Sequence, residues 1–249
     1  MFLSICLAAT PAMAASATAA VDINSAYVWR GQTFNDGLVL QPSIDVAADN
    51  GLGINVWGNY DIDDYNGSLD DNEFSEIDLT VSYGFNVGKL EIGVGAIEYL
   101  FPATDPDGDG AGTGATATTE LYVSVGMPIV GGLSAAVDAY YDIDAYDELT
   151  YATFGLSYAY DITEKLNMEA GGSIAYAGDD FAQAAGGDDG GLYNYTLSLS
   201  LGYTITDAWS VAANLTYVDA LDDDNLKEVE DDGLLDTNMI YGVGVAYAF

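Results

Sequence analysis

The last eleven residues of the chain alternate between two kinds of side chain. Large apolar or aromatic residues occupy the odd positions from Met239 to Phe249, and glycine or alanine occupies the even positions from Gly242 to Ala248. Successive side chains of a β-strand point to opposite faces, so this period of two predicts a strand with one apolar face and one face of small residues. Because small residues cannot fill a protein core, we expect the apolar face to point outward.

The same alternation recurs in twelve segments, each near or somewhat above the ~9–11 residues that a tilted transmembrane strand needs. The predicted strands are residues 20–34, 38–49, 52–62, 73–86, 89–101, 116–127, 132–144, 149–161, 165–178, 191–203, 208–220 and 236–249. They predict an all-β fold, a transmembrane antiparallel β-barrel of about 12 strands of the outer-membrane type. Residues 18–249 are expected to form this barrel as a single domain.

The connections between the predicted strands alternate in length. Short turns alternate with connections that are mostly longer and acidic, namely residues 63–72, 102–115, 179–190 and 221–235. Membrane barrels have short periplasmic turns and long outer loops, so the predicted location is the bacterial cell outer membrane. A soluble β-sandwich also has many short strands, but it does not explain this asymmetry.

Residues 1–17 are predicted to be a secretory signal peptide. An apolar run over residues 2–9 precedes two overlapping A-x-A cleavage patterns at 12–14 and 15–17. The alternative is a short buried N-terminal segment. A lipid anchor on Cys6 is not expected, because the preceding Ile5 is not small.

Composition excludes several classes of function. The chain has no histidine, and its one cysteine lies in the predicted signal peptide. Ser-His catalysis, Cys-His catalysis and His-ligated zinc sites are therefore excluded, and we predict neither an enzyme nor a bound cofactor. The formal net charge is −36, from 40 acidic and 4 basic residues, so nucleic acid is not an expected partner. Small solutes or cations are expected instead.

Short motifs give a more specific resemblance. Residues 25–33 read S-A-Y-V-W-R-G-Q-T and resemble the opening hairpin of the TorF family, a group of porin-type outer-membrane proteins. Further short motifs follow in the same order over most of residues 20–160. The resemblance implies an outer-membrane barrel and a porin. The end of the chain, with Tyr247 and Phe249, resembles the last strand of bacterial outer-membrane barrels, which implies a membrane-insertion signal for the barrel-assembly machinery.

Arg30 is the only arginine of the chain. Alternation within residues 20–34 places it on the inner face, with Trp29 on the outer face among the aromatic girdle residues. Acidic residues predicted to face the lumen are Asp45, Glu76, Asp78, Glu120, Asp138 and Glu169. Because arginine binds a carboxylate as a planar fork, Arg30 forms either a structural ion pair or a constriction that contacts solute, and the two roles can coexist.

Residues 105–110 resemble the first half of an EF-hand loop. Asp105, Asp107 and Asp109 alternate before the turn glycine Gly110, but Thr116 stands where such a loop needs a bidentate acid. We therefore expect at most weak Ca²⁺ binding in the outer loops. Divalent cations held there could also bridge the protein to membrane lipids and lipopolysaccharide.

The favoured function is passive diffusion of small solutes or ions through a porin-like lumen. Inward carboxylates would repel anions and concentrate cations, so the channel is expected to prefer cations. The alternative is a closed structural or adhesive barrel. In that case the acidic loops would bind divalent cations, lipid headgroups or a protein partner.

Overall fold

A computed structural model describes residues 15–63, 72–102, 115–146, 148–185, 189–221 and 235–249. Within these ranges, twelve antiparallel strands close into one barrel, and two further strands form a separate hairpin. The elements are β1 Ala15–Asn24, β2 Tyr27–Trp29, β3 Gln32–Asn35, β4 Val39–Ala48, β5 Leu52–Asp61, β6 Glu73–Val87, β7 Leu90–Phe101, β8 Ala115–Val130, β9 Leu133–Asp142, β10 Thr150–Asp161, β11 Leu166–Ala177, α1 Asp179–Ala184, β12 Gly191–Thr204, β13 Trp209–Ala220 and β14 Met239–Ala248.

The barrel closes through β1, which pairs with β4 on one side and with β14 on the other. Val21 is the register partner of Pro42 in β4 and of Val245 in β14. All neighbouring strands are antiparallel. Because the ring of strands is closed, the sheet has no unpaired edge. The prediction of a twelve-stranded antiparallel barrel is confirmed.

The two faces of each barrel strand differ in the way the alternation predicts. In β12, Leu197, Leu199 and Leu201 are exposed on the outside, while Ser198 and Ser200 point inward. A continuous apolar exterior of this kind is unfavourable in water but favourable in lipid. This surface is therefore the membrane-facing belt of an outer-membrane barrel. No helix in the described ranges is long and apolar enough to cross a membrane.

A pair of adjacent substitutions in β12 tests this assignment of faces. Leu199→Arg places a charge on the lipid side and is expected to cost ~2–4 kcal/mol of unfolding free energy. Ser200→Arg points the same side chain into the lumen and is expected to cost much less. Urea unfolding in lipid vesicles measures both variants. Equal losses would contradict the assignment.

The prediction of one barrel strand over residues 20–34 is wrong beyond Asn24. There the Ser25 N–H donates to Tyr241 O over 2.9 Å, and the chain then leaves the wall. The strands β2 and β3 pair only with each other. The turn at Arg30 and Gly31, where φ is 49° and 79°, reverses the chain so that β3 pairs with β2, because these positive values cannot continue a strand.

The hairpin β2–β3 folds into the lumen. Its side chains contact residues of β5, β6 and β8, which lie two, three and five strands around the barrel from β1. The helix α1 joins it from the connection between β11 and β12, a segment predicted to be an acidic loop. Together they fill the end of the barrel where the long connections lie. The buried apolar residues at this end form two clusters, Tyr151, Ala175, Ala177, Phe181, Ala185, Tyr193 and Ala220, and Tyr27, Val39 and Trp57.

Candidate functional site: a hairpin constriction in the lumen

The tip of the lumen hairpin is a two-residue turn. Trp29 pairs with Gln32, and Arg30 and Gly31 between them both have positive φ, as in a type I′ turn. Asparagine and glycine are the usual residues at such positions, and a long side chain with positive φ is uncommon. Contacts of the Arg30 side chain must therefore compensate for its backbone conformation.

Arg30 forms a buried bidentate ion pair with Glu120 on the inner face of β8. Its Nη1 and Nη2 atoms donate to Oε1 and Oε2 over 2.7 Å each, and the two side chains are 6% and 4% exposed. The Tyr99 hydroxyl donates to Glu120 Oε2 over 2.8 Å. Burial opposes the charge of Arg30, but Glu120 and its hydrogen bonds outweigh this effect and raise the pKa of the guanidinium. The guanidinium therefore stays charged.

Aromatic rings surround the guanidinium of Arg30. Its Cζ lies 4.2 Å from the ring centroid of Trp29, 4.5 Å from Tyr140, 4.8 Å from Tyr151 and 5.8 Å from Phe181. Each ring face is negative, and a cation that water does not reach gains most from it. The rings come from β2, β9, β10 and α1, so Arg30 ties four separate elements together.

The two strands of the hairpin have further anchors on the wall. The Tyr27 hydroxyl of β2 donates to Glu76 Oε2 over 2.9 Å, and its ring packs against Trp57. Asn35 of β3 is fully buried, and its Nδ2 donates to Asp61 Oδ1 over 2.7 Å. A buried unpaired polar group would cost free energy, so these contacts fix the depth of the hairpin in the lumen.

The predicted lumen residues fall into two groups. The hairpin brings Arg30 together with Glu120 and places Glu76 and Asp78 close by, all of them buried. The others lie on the wall away from it. Asp45 is exposed and accepts from Asn55 Nδ2, Asp138 accepts from the Thr153 hydroxyl over 3.2 Å, and Glu169 is half-buried near the opposite end. Their role in selecting solutes stays a prediction.

Other predicted sites are not tested by the structure. Asp105, Asp107 and Asp109 lie outside the described residues, so weak Ca²⁺ binding stays a prediction. In the described ranges no group of three or more His, Cys, Asp or Glu could hold a metal ion. Tyr247 and Phe249 stack edge to face at 4.9 Å on the outer surface, and their insertion role stays a prediction.

Sequence reasoning placed Trp29 in the membrane girdle, and this is wrong. Its ring lies inside the barrel, 6.0 Å from the ring of Tyr99, because the hairpin and not the wall carries it. The sequence pattern also predicts no role for Tyr27, Asn35 or Phe181. The sequence does contain one signal for a segment inside the lumen. Tyr99, Tyr140 and Tyr151 lie on the small and polar faces of their strands, where a segment folded into the lumen can cover their rings.

Solved structures show the same architecture at low sequence identity. The NanC porin aligns with a TM-score of 0.58 and 13% identity, covering 91% of this chain and 98% of its own. The KdgM porin in complex with disordered oligogalacturonate aligns with 0.55 and 13%, covering 94% and 99%. The COG4313 outer membrane channel from Pseudomonas putida F1 aligns with 0.58 and 12%, covering 97% of each chain. These likenesses establish the fold of an outer-membrane barrel.

Comparison of sequences identifies a family. No curated protein matches the chain. The TorF resemblance stays a prediction, since the family model that matches carries a different name. That model, Gcw_chp, matches residues 8–229, which is most of the chain. The chain therefore belongs to the Gcw_chp family, described as bacterial proteins of unknown function.

Proposed function

We propose that the protein is a porin-like channel for small solutes or ions, that it prefers cations, and that the hairpin β2–β3 is its constriction. The observation that carries this proposal is the charge of the lumen. Carboxylates line the inner wall, and Glu120 neutralises Arg30, the one basic residue that the described ranges place at the hairpin. An acidic lumen with low-dielectric walls attracts cations and repels anions.

The inner wall changes along the barrel axis, which supports a vestibule below the constriction. Near the short turns many of the inward residues are small, and solvent reaches them partly, as at Ser82, Ser134, Ser200 and Ser210. At the hairpin the inward residues are large and buried. Small side chains leave room inside a twelve-stranded barrel, so the hairpin end would set the size limit.

The preferred solute differs in charge from the molecule bound to one structural neighbour. The KdgM porin was solved with oligogalacturonate, a polymer of acidic sugars. Here Asp45, Asp138 and Glu169 give the open part of the lumen the same sign of charge as such a polymer. We infer that cations or neutral solutes pass this barrel more readily than anions.

Planar-bilayer current under a KCl gradient tests the cation preference. The reversal potential of the wild type is expected to favour K⁺. The triple variant Asp45→Asn, Asp138→Asn, Glu169→Gln should move it towards zero, because the wall then loses three charges that the hairpin does not need. The matched variant Asp45→Glu, Asp138→Glu, Glu169→Asp keeps the charges and should keep the preference. A wild type that favours Cl⁻ would refute the proposal.

One observation favours the second candidate, a closed structural or adhesive barrel. The hairpin packs across the lumen from Trp57 to Tyr151 through the buried contacts of Tyr27 and Arg30. In that case the acidic loops would bind divalent cations, lipopolysaccharide or a protein. A folded barrel that never shows channel steps would favour this candidate over the channel.

A further inference from the structure

Two acidic side chains lie buried side by side beneath the hairpin. Glu76 and Asp78 stand two residues apart on the inner face of β6 and are 4% and 8% exposed. Their carboxyl groups are within hydrogen-bonding reach of each other. The Tyr27 hydroxyl donates to Glu76 Oε2 over 2.9 Å. Two carboxylates in contact repel each other unless something positive lies between them.

One oxygen of this pair has no partner. Asp78 Oδ1 is buried and makes no hydrogen bond. Its register partner in β5 is Trp57, and the next acid nearby is Glu120, so neither neighbour supplies a positive charge. An unpaired buried carboxylate oxygen is costly, which points to a missing ligand at this position.

No basic side chain in the described ranges can serve as that ligand. Both terminal nitrogens of Arg30 already donate to Glu120. Lys89 and Lys165 stand at the short turns, at the opposite end of the barrel. Among the described residues, Glu76, Asp78 and Glu120 therefore share one guanidinium, which is paired with Glu120, so Glu76 and Asp78 have no basic side chain of their own.

We propose that the Glu76 and Asp78 carboxylates bind one alkali cation, of the class of Na⁺ or K⁺, beneath the lumen hairpin. Oxygen ligands suit such hard cations. A dedicated Ca²⁺ or Mg²⁺ site needs more oxygen ligands, and the described residues hold no cluster of three acids fit for a metal. A single positive charge between the carboxylates removes their repulsion and gives Asp78 Oδ1 a partner.

This cation would also stabilise the hairpin. Tyr27 connects Glu76 to β2, so a bound ion that holds Glu76 in place also holds the hairpin in the lumen. Only the role of the site depends on the proposed channel: in a channel, the bound cation would occupy a position on the path that cations follow. Binding itself is testable without any current.

Thermal unfolding of the full-length barrel in detergent tests the site. The probes are NaCl and KCl, compared with choline chloride at the same ionic strength, because choline is too large for a buried pair of carboxylates. A cation that binds only the folded state stabilises that state by mass action. At a concentration ~100 times the dissociation constant, it shifts the folding equilibrium by ~100-fold. We expect a saturable rise in the midpoint in NaCl or KCl, absent in Asp78→Asn and retained in the matched lumen variant Asp138→Asn.

A second measurement covers the case in which Asp78→Asn does not fold. Rubidium or thallium in crystals of the wild type should give an anomalous peak between the two carboxylates. A proton in place of the cation would overturn the proposal. It would show as the infrared band of a protonated carboxyl group at neutral pH, with midpoints equal in NaCl, KCl and choline chloride.

The outcomes also separate this site from the channel. Saturable alkali-cation dependence in a barrel that never conducts would refute the channel and support the site. Cation-selective current in a barrel whose midpoint ignores the alkali cation would support the channel and refute the site.

Discussion

Replacing residues 25–38 with an Asn-Gly turn is expected to raise the single-channel conductance several-fold while the barrel still folds. Asn24 and Val39 are register partners of β1 and β4, so a two-residue turn can join them directly. Asn-Gly suits the type I′ geometry of such a hairpin. The replacement removes the whole lumen hairpin and leaves every pair of barrel strands intact.

The physical reason for the increase is the loss of the proposed constriction. The hairpin brings Tyr27, Trp29 and Arg30 into the lumen, where they contact the walls formed by β6, β7 and β8. Without them, only α1 remains folded inward among the described elements. Planar-bilayer recording measures the conductance, and circular dichroism with heat-modifiable gel mobility checks that the barrel has formed.

A matched deletion at the same end of the barrel serves as the control. Ala177 and Gly191 are register partners of β11 and β12, so an Asn-Gly turn can replace residues 178–190 and remove α1. This deletion takes away Phe181 but leaves the ion pair of Arg30, so the conductance should rise less. Equal conductance in the wild type and in the variant without the hairpin would show that β2–β3 is not the constriction.

The wall of the barrel could be predicted from the sequence because its signal is local. In β14, large residues face lipid and small residues face the lumen. In each strand that follows this rule, the inward and outward faces can be predicted from the residues of that strand alone. Predicted and observed bounds of β4 to β14 differ by three residues or fewer, since turn residues such as Gly51 mark the ends. The lipid-facing surface follows from the same alternation.

The lumen hairpin could not be predicted in this way because it alternates as the wall does. Ala26, Val28 and Arg30 take one side and Tyr27 and Trp29 the other, and a period of two does not distinguish a wall strand from a strand inside the barrel. Only the turn at Arg30-Gly31 interrupts the pattern. A glycine after a bulky residue is too common to identify a turn by itself.

The partner of Arg30 depends on the closed barrel and not on the sequence pattern. Glu120 is 90 positions away and belongs to the opposite wall. Asp45 and Glu169 have the same charge and the same inward orientation, yet they lie at depths that the hairpin does not reach. The choice among equivalent carboxylates therefore requires the register of every strand between β1 and β8.

Arg30→Asn is expected to lower the unfolding free energy of the barrel by ~3–5 kcal/mol, the usual cost of removing one partner of a buried ion pair. Asparagine is favoured at this turn position, so the substitution keeps the backbone of the hairpin. It leaves Glu120, 4% exposed, with Tyr99 as its one side-chain donor among the described residues. Urea unfolding in lipid vesicles, followed by tryptophan fluorescence, measures the loss.

Three further variants isolate the cause of this loss. Arg30→Asn with Glu120→Gln removes the buried charge and should recover part of the stability. Arg30→Lys keeps the charge but not the planar fork, so its loss should be intermediate. Lys165→Asn removes an exposed charge at a short turn and should change stability little. Equal stability of Arg30→Asn and the wild type would contradict the role of the ion pair.

The hairpin sets an upper limit on the loss, because its detachment would let water reach Glu120. Tyr27 and Asn35 still hold β2 and β3 to the wall in Arg30→Asn, through hydrogen bonds of 2.9 Å and 2.7 Å. We therefore expect the hairpin to stay in place and the whole barrel to lose stability. If it detached instead, the partly buried Trp29 ring would become hydrated, and its emission would shift to longer wavelength before unfolding. The conductance would then approach that of the variant without the hairpin.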